Sequence, residues 1–396
     1  VDVVCITSVT YQSPRAYKIA KACKEKSMPV ILGGVHATTH SEEAMQYVDC
    51  VVTGEAEGIW HTVITDFENG KLQKKYDGGL PDLSLLKNVY PDRELLRRKY
   101  NYKFSSIITT KGCPNFCDFC SVPIYQGRKF RERPFEDVLD EMEATDYKGL
   151  MFAEDNFYGH GKRSNERARN LFKGMVERGI KKDWLGFTAL NISQDPVVLE
   201  YMAKSGNFGM LIGIESTNEE TLKKMNKSVN LKMGTDSYSD CIDKIHQNGL
   251  VVWGSLVFGA DGDGRDSFKR MTDFVLENNI DIVSFGIDCP FPKTQLYKRL
   301  DEEKRIFRKN YPDDWHYFDS GHLVHRLVDM SLDDFIDGMQ YVYDNLYADD
   351  NLRTRFRNSL RTVGSTMNGK RNAMFAFRVG NDWDNVFKQA LENLRK

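Results

Sequence analysis

The sequence predicts an α/β protein in three parts. These are an incomplete doubly wound parallel sheet, a partial (β/α)6 TIM-like barrel and a mainly helical C-terminal domain. Three observations lead to this fold class: strands and helices alternate over residues 1–75, they alternate for longer over 104–295, and charged and aromatic residues replace the alternation over 296–396. Strands that alternate with helices form parallel βαβ units. Such sheets bind ligands at the carboxyl ends of their strands.

The first part has three predicted strands, which end in small or glycine-bearing turns. The strands are 1–9, 29–32 and 50–53, and the helices are 15–26, 42–47 and 59–67. The apolar run at 3–6 is typical of a strand buried on both faces. We therefore expect at least one further βα unit ahead of Val1. Residues 76–103, with several glycines, prolines and a charged run, are predicted to be a linker.

The barrel is predicted from six apolar strands with helices between them. These strands are 105–109, 149–153, 184–189, 208–214, 250–258 and 282–287. In the C-terminal domain, residues 351–396 carry ten Lys and Arg against three Asp and Glu. That bias indicates either a solvated helical face or a docking surface for an acidic partner, an anionic lipid or nucleic acid.

Composition narrows the class of protein. The chain has 396 residues, of which 41% are hydrophobic and 28% charged, and this excludes a disordered or collagen-like chain. The net charge of -2 argues against a nucleic-acid partner that binds through an overall basic surface. The longest charge-free apolar stretch, 249–260, is too short to span a bilayer, so no transmembrane segment is expected. Eight cysteines in a chain of this length indicate a reducing compartment, and we expect the cytoplasm.

Three of the cysteines form a motif, C-x3-C-x2-C, directly after the first barrel strand: Cys113, Cys117 and Cys120. Thiolates are the ligands of iron–sulfur clusters, and three ligands on a four-iron cluster leave one iron open. A structural zinc site is the alternative, but zinc takes four ligands and the nearest histidine, His160, lies 40 residues on. The motif therefore predicts an iron–sulfur cluster. The scattered cysteines are expected to be small buried apolar residues, namely Cys5, Cys23, Cys50, Cys241 and Cys289.

The motif resembles that of the radical S-adenosylmethionine (SAM) enzymes, because an aromatic residue, Phe119, precedes the last cysteine. The resemblance implies a 4Fe-4S cluster that chelates SAM, with Phe119 beside the adenine. Other segments are similar to a subgroup with an N-terminal cobalamin-binding (Rossmann-like) domain: GGVHAT at 33–38, GEAE at 54–57, GIES at 213–216, CPFPKT at 289–294 and the region 315–357. The chain departs from the subgroup at Cys289 and Lys293, where Thr-Pro-x-Pro-Gly-Thr is common.

The resemblance also implies roles at other strand ends. Glu154 and Asp155 would contact the SAM ammonium group, and a solvated acidic turn is the alternative. Glu215 would accept a hydrogen bond from the ribose or the ammonium group, and a helix-start residue is the alternative. Small residues at three strand ends of the first sheet would let cobalamin approach the backbone, although βα turns commonly contain such residues. The cobalamin contacts expected are Thr7, Ser8, Thr10, Gly33, Gly34, Val35, His36, Gly54 and Glu55. His36 is expected to bond to the nucleotide tail rather than to ligate cobalt.

The implied activity is reductive cleavage of SAM to a 5′-deoxyadenosyl radical, for cobalamin-dependent methylation of an unactivated carbon. The alternative is radical carbon–carbon coupling or cyclisation of a lipid or secondary metabolite without methyl transfer. A cluster-bearing sensor is a different class, but a sensor needs no SAM cradle at its strand ends. The cofactors implied are the 4Fe-4S cluster, SAM and cobalamin. The partners implied are a small-molecule or lipid substrate and an electron donor such as flavodoxin or ferredoxin.

Overall fold

The structure, a computed structural model, describes residues 2–100, 102–364 and 368–395. Val1, Asn101, residues 365–367 and Lys396 lie outside the described residues. They belong to the first predicted strand, the predicted linker and the predicted C-terminal domain. The α/β class and the partial parallel barrel are confirmed.

The first sheet is parallel and has four strands in the order β1-β2-β3-β4. They are β1 Val4–Thr7, β2 Val30–Gly33, β3 Cys50–Thr53 and β4 Lys75–Asp77. The helices of this region are α1 Ser13–Lys24, α2 Val35–Thr39, α3 Ser41–Ala44 and α4 Trp60–Glu68. The segment predicted as a linker is therefore partly regular, since it contains most of β4 and also α5 Glu94–Tyr100. The strand β4 was missed because Tyr76 is its one buried side chain, and three residues are too few to show an alternating pattern.

Among the described residues, β1 is an edge strand that pairs only with β2. Val4 and Ile6 are half-buried, whereas Cys5 is exposed. The described residues therefore leave β1 at the edge of the sheet, and its burial by a further βα unit stays a prediction. Cys5 is also the exception among the scattered cysteines, because the other four are buried as predicted.

The second sheet is the barrel, whose six parallel strands are neighbours in chain order. They are β5 Phe104–Ile107, β8 Gly149–Phe152, β9 Asp183–Thr188, β10 Asn207–Glu215, β11 Val251–Phe258 and β12 Ile282–Ile287. Between β5 and β8, the strands β6 Thr110–Lys111 and β7 Arg131–Glu132 form a short antiparallel hairpin. The helices of this part are α6 Val122–Tyr125, α7 Phe135–Ala144, α8 Lys162–Glu177, α9 Pro196–Lys204, α10 Glu219–Lys224, α11 Ser228–Met233, α12 Tyr238–Gln247 and α13 Asp266–Glu277. Because β5 and β12 are both edges, the barrel is open on one side.

Four helices follow the barrel, and the last of them closes its amino end. They are α14 Gln295–Glu302, α15 Leu332–Leu346, α16 Asp349–Thr362 and α17 Gly369–Leu394. Phe375 of α17 packs on Phe208 near the start of β10, with 4.0 Å between ring centroids, and Phe208 contacts Phe104 at the start of β5. Strands β5 and β10 are not neighbours in the sheet, so this aromatic contact crosses the barrel. The carboxyl ends of the strands remain free to form a site.

Part of the basic charge at 351–396 is bonded within the chain. Arg355 is buried and donates to the carbonyls of Leu346 and Asp281, whereas Arg371 is exposed and pairs with Asp183 at the surface. Arg355 is therefore not part of a solvated face. In the part of the chain that the structure describes, no helix combines the length and the apolar character that crossing a membrane requires.

Candidate active site

The three motif cysteines lie in the loop between β6 and β7. The amide of Cys113 donates to the carbonyl of Gly127 at 3.2 Å. Gly112 has a φ of 86°, and a Cβ at this position would overlap the carbonyl of Lys129. The turn therefore requires glycine. The hairpin and these contacts fix the loop that carries the thiols.

All three thiols are free, and they line one cavity of about 200 Å³ at the carboxyl ends of the barrel strands. The other walls come from the ends of β8, β9, β10 and β11 and from the residues around the start of α11. The structure therefore brings together the cysteine motif and four strand ends that are far apart in the sequence.

The thiols fit a cluster better than a single ion. Burial raises the pKa of all three thiols, and that of Cys120 to about 12, so a cationic partner is needed to hold them as thiolates. Within residues 2–100, 102–364 and 368–395, no three His, Cys, Asp or Glu side chains are placed to hold one metal ion. A four-iron cluster binds each thiolate through a different iron, and its ligands stand farther apart than those around one zinc.

An ion pair between Glu215 and Lys227 forms part of the wall of the cysteine cavity. Glu215 ends β10 with a φ of 62°, and its Oε1 lies 2.5 Å from the Nζ of Lys227. The Nζ also lies 5.7 Å from the ring centroid of Phe119, within reach of a cation–π contact. A Cβ at Gly213 would lie 2.8 Å from that Nζ, so glycine leaves room for the pair. A left-handed conformation at a non-glycine residue is typical of functional sites.

Lys227 was missed by sequence reasoning. Burial alone would lower its pKa, but the Glu215 carboxylate and the Cys117 sulfur outweigh burial and hold the pKa above its usual range. Lys227 occupies the N-cap of α11, where a cation is unfavourable to the helix dipole. That unfavourable position was the one signal available in the sequence.

The structure separates Glu154 from Asp155, which were predicted to act together. Asp155 lines the cavity, and burial raises the pKa of its carboxyl to about 6. Glu154 does not line the cavity, and its carboxylate accepts a hydrogen bond from Thr109 and lies near Arg167. Its predicted contact with SAM stays a prediction.

Glu154 gives a pH prediction. Burial raises its pKa from 4.5 to about 7, so the fold favours the protonated form, and its stabilising contribution is lost as the pH rises through 7. Between pH 5 and pH 8 we expect the free energy of unfolding to fall by about 2–3 kcal/mol more in the wild type than in Glu154→Gln. Urea unfolding at both pH values measures this difference. Glu177→Gln, an exposed control on α8, should follow the wild type, and a Glu154→Gln variant that also follows it would contradict the prediction.

A polar ligand also fits the floor of the cavity. The Oγ1 of Thr188, at the end of β9, is buried, lines the cavity and has no hydrogen-bond partner in the described part of the chain. A buried hydroxyl without a partner costs free energy unless a ligand or water bonds to it. Thr188 and the Glu215–Lys227 pair therefore suit a ligand such as SAM, which carries ribose hydroxyls, an ammonium group and a carboxylate.

A second cavity, of about 360 Å³, lies along the first sheet. Four of the nine residues expected to contact cobalamin line it: Thr7, Gly33, Gly34 and Gly54. A Cβ at Gly33 would meet nothing closer than 3.7 Å, so this position leaves space for a ligand. The Oγ of Ser8, which directly follows Thr7 at the end of β1, is buried and has no hydrogen-bond partner in the described residues. An open groove with an unpaired hydroxyl beside it fits part of a large cofactor.

The other expected cobalamin contacts, Ser8, Thr10, Val35, His36 and Glu55, do not line this groove. His36 is fully buried, and its Nε2 lies 2.8 Å from the Tyr17 hydroxyl and 3.1 Å from the Glu43 carboxylate. Its ring packs edge-on against Trp315. His36 therefore joins the first region to the C-terminal region and does not face the groove.

Glu55 has a similar connecting position. Its carboxylate forms a two-pronged ion pair with Arg131 of β7 and lies 3.3 Å from Lys111 of β6. Glu55 and Arg131 are both more than nine-tenths buried. The acidic group that follows β3 therefore ties the first sheet to the hairpin that carries the cysteines.

Comparisons with known proteins match the two parts of the chain that contain these cavities. A model of the radical SAM superfamily matches residues 107–275, and a model of the B12 binding domain matches residues 1–63. The bacteriochlorophyllide d C-12(1)-methyltransferase of Chlorobaculum tepidum is 32% identical over 327 residues, which cover 80% of this chain and 69% of that enzyme. The bacteriochlorophyllide d C-8(2)-methyltransferase of the same organism is 29% identical, with 82% and 72% covered.

A solved structure shares the fold. It is TsrM from Kitasatospora setae, a radical SAM methyltransferase with cobalamin and a 4Fe-4S cluster bound, and its TM-score is 0.69 at 16% identity. The match covers 96% of this chain and 88% of that one. The resemblance seen in the sequence motifs is thus confirmed, together with the cofactor set of a 4Fe-4S cluster, SAM and cobalamin. The chain belongs to the radical SAM superfamily, in the group whose members carry a B12-binding domain, and it is an enzyme of the cobalamin-dependent methyltransferase type.

Proposed function

We propose that the cavity at the barrel mouth binds SAM against a cluster held by Cys113, Cys117 and Cys120, and that the enzyme methylates an unactivated carbon of a small apolar molecule. The placement of the three thiols and the Glu215–Lys227 pair in one cavity carries this proposal. When bound, the cluster supplies the electron that cleaves SAM, and cobalamin supplies the methyl group.

The residues of the cavity would divide the contacts to SAM by charge. The Lys227 ammonium suits the SAM carboxylate, while Asp155 suits the SAM ammonium group, because each pairs opposite charges through a charge-assisted hydrogen bond. Glu215 would hold Lys227 in position and accept a bond from the ribose. Phe119 offers an aromatic face for the adenine. The barrel around the cavity excludes water from these contacts.

The substrate would lie against the apolar part of the wall. Phe187, Leu211 and Val229 line the cavity beside the polar groups. The two similar enzymes of Chlorobaculum tepidum are named for methylating bacteriochlorophyllide d, which supports methyl transfer over ring formation or coupling. Methyl transfer consumes a second SAM to restore the methyl group and so releases S-adenosylhomocysteine. Anaerobic turnover should release S-adenosylhomocysteine together with 5′-deoxyadenosine, and 5′-deoxyadenosine alone would instead support coupling or cyclisation.

We also propose a division of the chain and a source of electrons. Residues 1–77 would form the cobalamin-binding part, 104–295 the radical SAM barrel and 296–396 the C-terminal domain, with a connector at 78–103.

Arg128 and Lys129 are exposed beside the cysteines, so an acidic electron donor such as flavodoxin or ferredoxin would dock there. Free thiols and an iron–sulfur cluster suit a reducing compartment, and we propose the cytoplasm.

The SAM contacts are testable through Lys227. We expect Lys227→Met to keep its iron but to bind SAM about 10-fold to 100-fold more weakly, because it loses a charge-assisted hydrogen bond. Glu215→Gln should weaken binding less, since the lysine remains. Equilibrium dialysis with SAM on the reconstituted protein measures both. Lys224→Met, which removes an exposed lysine of α10, is the matched control, and equal SAM affinity in Lys224→Met and Lys227→Met would refute the assignment.

A further inference from the structure

A third cavity lies in the C-terminal part of the chain. Its volume is about 660 Å³, and it is enclosed by residues 307–332 and by the end of α17. In the described residues it shares no wall with the cysteine cavity or with the groove on the first sheet. Its volume falls within the range of small-molecule pockets. The proposed SAM chemistry does not use it.

Part of the lining of this cavity is apolar. Leu323, Leu327 and Met330 line it, with Phe307 and Leu332 at the rim. Phe307 is 48% exposed and Leu332 is 50% exposed. Exposed apolar side chains around a concavity gain free energy when an apolar ligand covers them.

The cavity also has basic lining residues. Arg308 and Arg326 line the cavity, and among the described residues no Asp or Glu lines it and neither arginine forms an ion pair. The Arg308 guanidinium lies 4.2 Å from the ring centroid of Tyr317, and its buried Nε has no partner in the described chain. Stacking on Tyr317 orients the guanidinium without using its N–H donors.

The two histidines of the wall differ from the arginines. His322 bonds to the Asp319 carboxylate through its Nδ1 at 2.9 Å. Burial and the nearby Arg305 lower the pKa of His325 to about 4, so His325 is neutral at physiological pH. The two arginines are therefore the permanent cations of the wall.

We propose that this cavity binds an amphipathic carboxylate, with its apolar body on Leu323, Leu327 and Met330 and its head group on Arg308 and Arg326. A guanidinium matches a carboxylate through two parallel hydrogen bonds, which a hydroxyl or an ester does not reproduce. The site is separate from the cysteine cavity, so a ligand bound here would not present its own carbon to SAM.

A fluorescent carboxylate tests this site. Dansylaminoundecanoic acid and its uncharged methyl ester would be titrated into the full-length protein, and the acid should bind saturably and at least about 10-fold more tightly than the ester. Arg308→Gln combined with Arg326→Gln should remove this preference while leaving the affinity for the ester unchanged, which also shows that the cavity is intact. Lys298→Gln combined with Lys304→Gln removes the same charge from exposed neighbours outside the cavity and should bind like the wild type.

Several results would overturn the proposal. They are equal binding of acid and ester, an arginine pair variant that behaves like the lysine pair variant, and displacement of the probe by SAM or hydroxocobalamin. Stronger competition by dodecyl phosphate than by dodecanoate would replace the carboxylate with a phosphate head group.

Discussion

Replacing Cys113, Cys117 and Cys120 together by alanine is expected to remove the iron and to abolish the cleavage of SAM. The three sulfurs would be the protein's bonds to the cluster, and in the described residues no other cysteine lines their cavity. Iron and sulfide content, the visible absorption that dithionite bleaches, and the release of methionine and 5′-deoxyadenosine under anaerobic reduction would all fall to background. Each single alanine variant should also lose SAM cleavage, because two ligands cannot hold the cluster with one open iron.

Cys241→Ala is the matched control for this prediction. Cys241 is a buried free thiol of α12 and lies outside the cysteine cavity. Its removal should lower stability slightly, as a small core truncation does, and should leave the iron content unchanged. Full iron retention in the triple variant would show that the cluster, if present, is held elsewhere.

The barrel was predictable because each of its strands is an apolar run followed by a helix. The strand predicted at 208–214 is β10 Asn207–Glu215, and the strand predicted at 282–287 is β12 Ile282–Ile287. The strand β4 was not predictable in this way, because pairing with β3 and not an apolar pattern makes Lys75–Asp77 a strand. Edge strands of this kind depend on a partner that is distant in sequence.

The site was predictable where its residues are close in sequence. Cys113, Cys117 and Cys120 span eight positions, so their spacing alone indicates a shared ligand. Lys227 follows Glu215 by 12 positions and reaches it only because the chain folds back after β10. No local pattern shows that return.

In the first region, a motif that was assigned to ligand binding also makes contacts within the fold, and its assignment to cobalamin stays a prediction. A Cβ at Gly34 would lie 2.6 Å from the Thr7 hydroxyl, so close approach of the chain to itself already requires that glycine. His36 and Glu55, in the same two turns, bond to neighbouring parts of the fold. Strand ends that meet other parts of a protein carry such contacts as well as ligands.

Arg131 is the residue on which the connection between the first sheet and the cysteine hairpin depends. Besides its ion pair with Glu55, it donates to the carbonyls of Pro81 at 2.7 Å and Gln126 at 3.0 Å. We expect Arg131→Met to lower the free energy of unfolding by about 3–5 kcal/mol, because a buried carboxylate and two carbonyls lose their partner. Lys111 remains 3.3 Å from Glu55 and partly compensates its charge. The loss of unfolding free energy should therefore lie toward the lower end of that range. Guanidinium unfolding of the purified chain measures it.

Arg128→Met is the matched control, because Arg128 lies in the same loop but is exposed and stacks on Phe116 at 4.0 Å. Its loss should cost less than about 1 kcal/mol.

Adding Glu55→Met to Arg131→Met should restore part of the stability, since two apolar side chains bury without an unpaired charge. Stability in Arg131→Met equal to that in Arg128→Met would mean that the buried pair contributes nothing. A double variant less stable than Arg131→Met alone would mean that Glu55 stabilises the fold through Lys111 instead. Because the ion pair joins the strand end beside the cobalamin groove to the hairpin that carries the cysteine loop, Arg131→Met should also impair both methyl transfer and SAM cleavage.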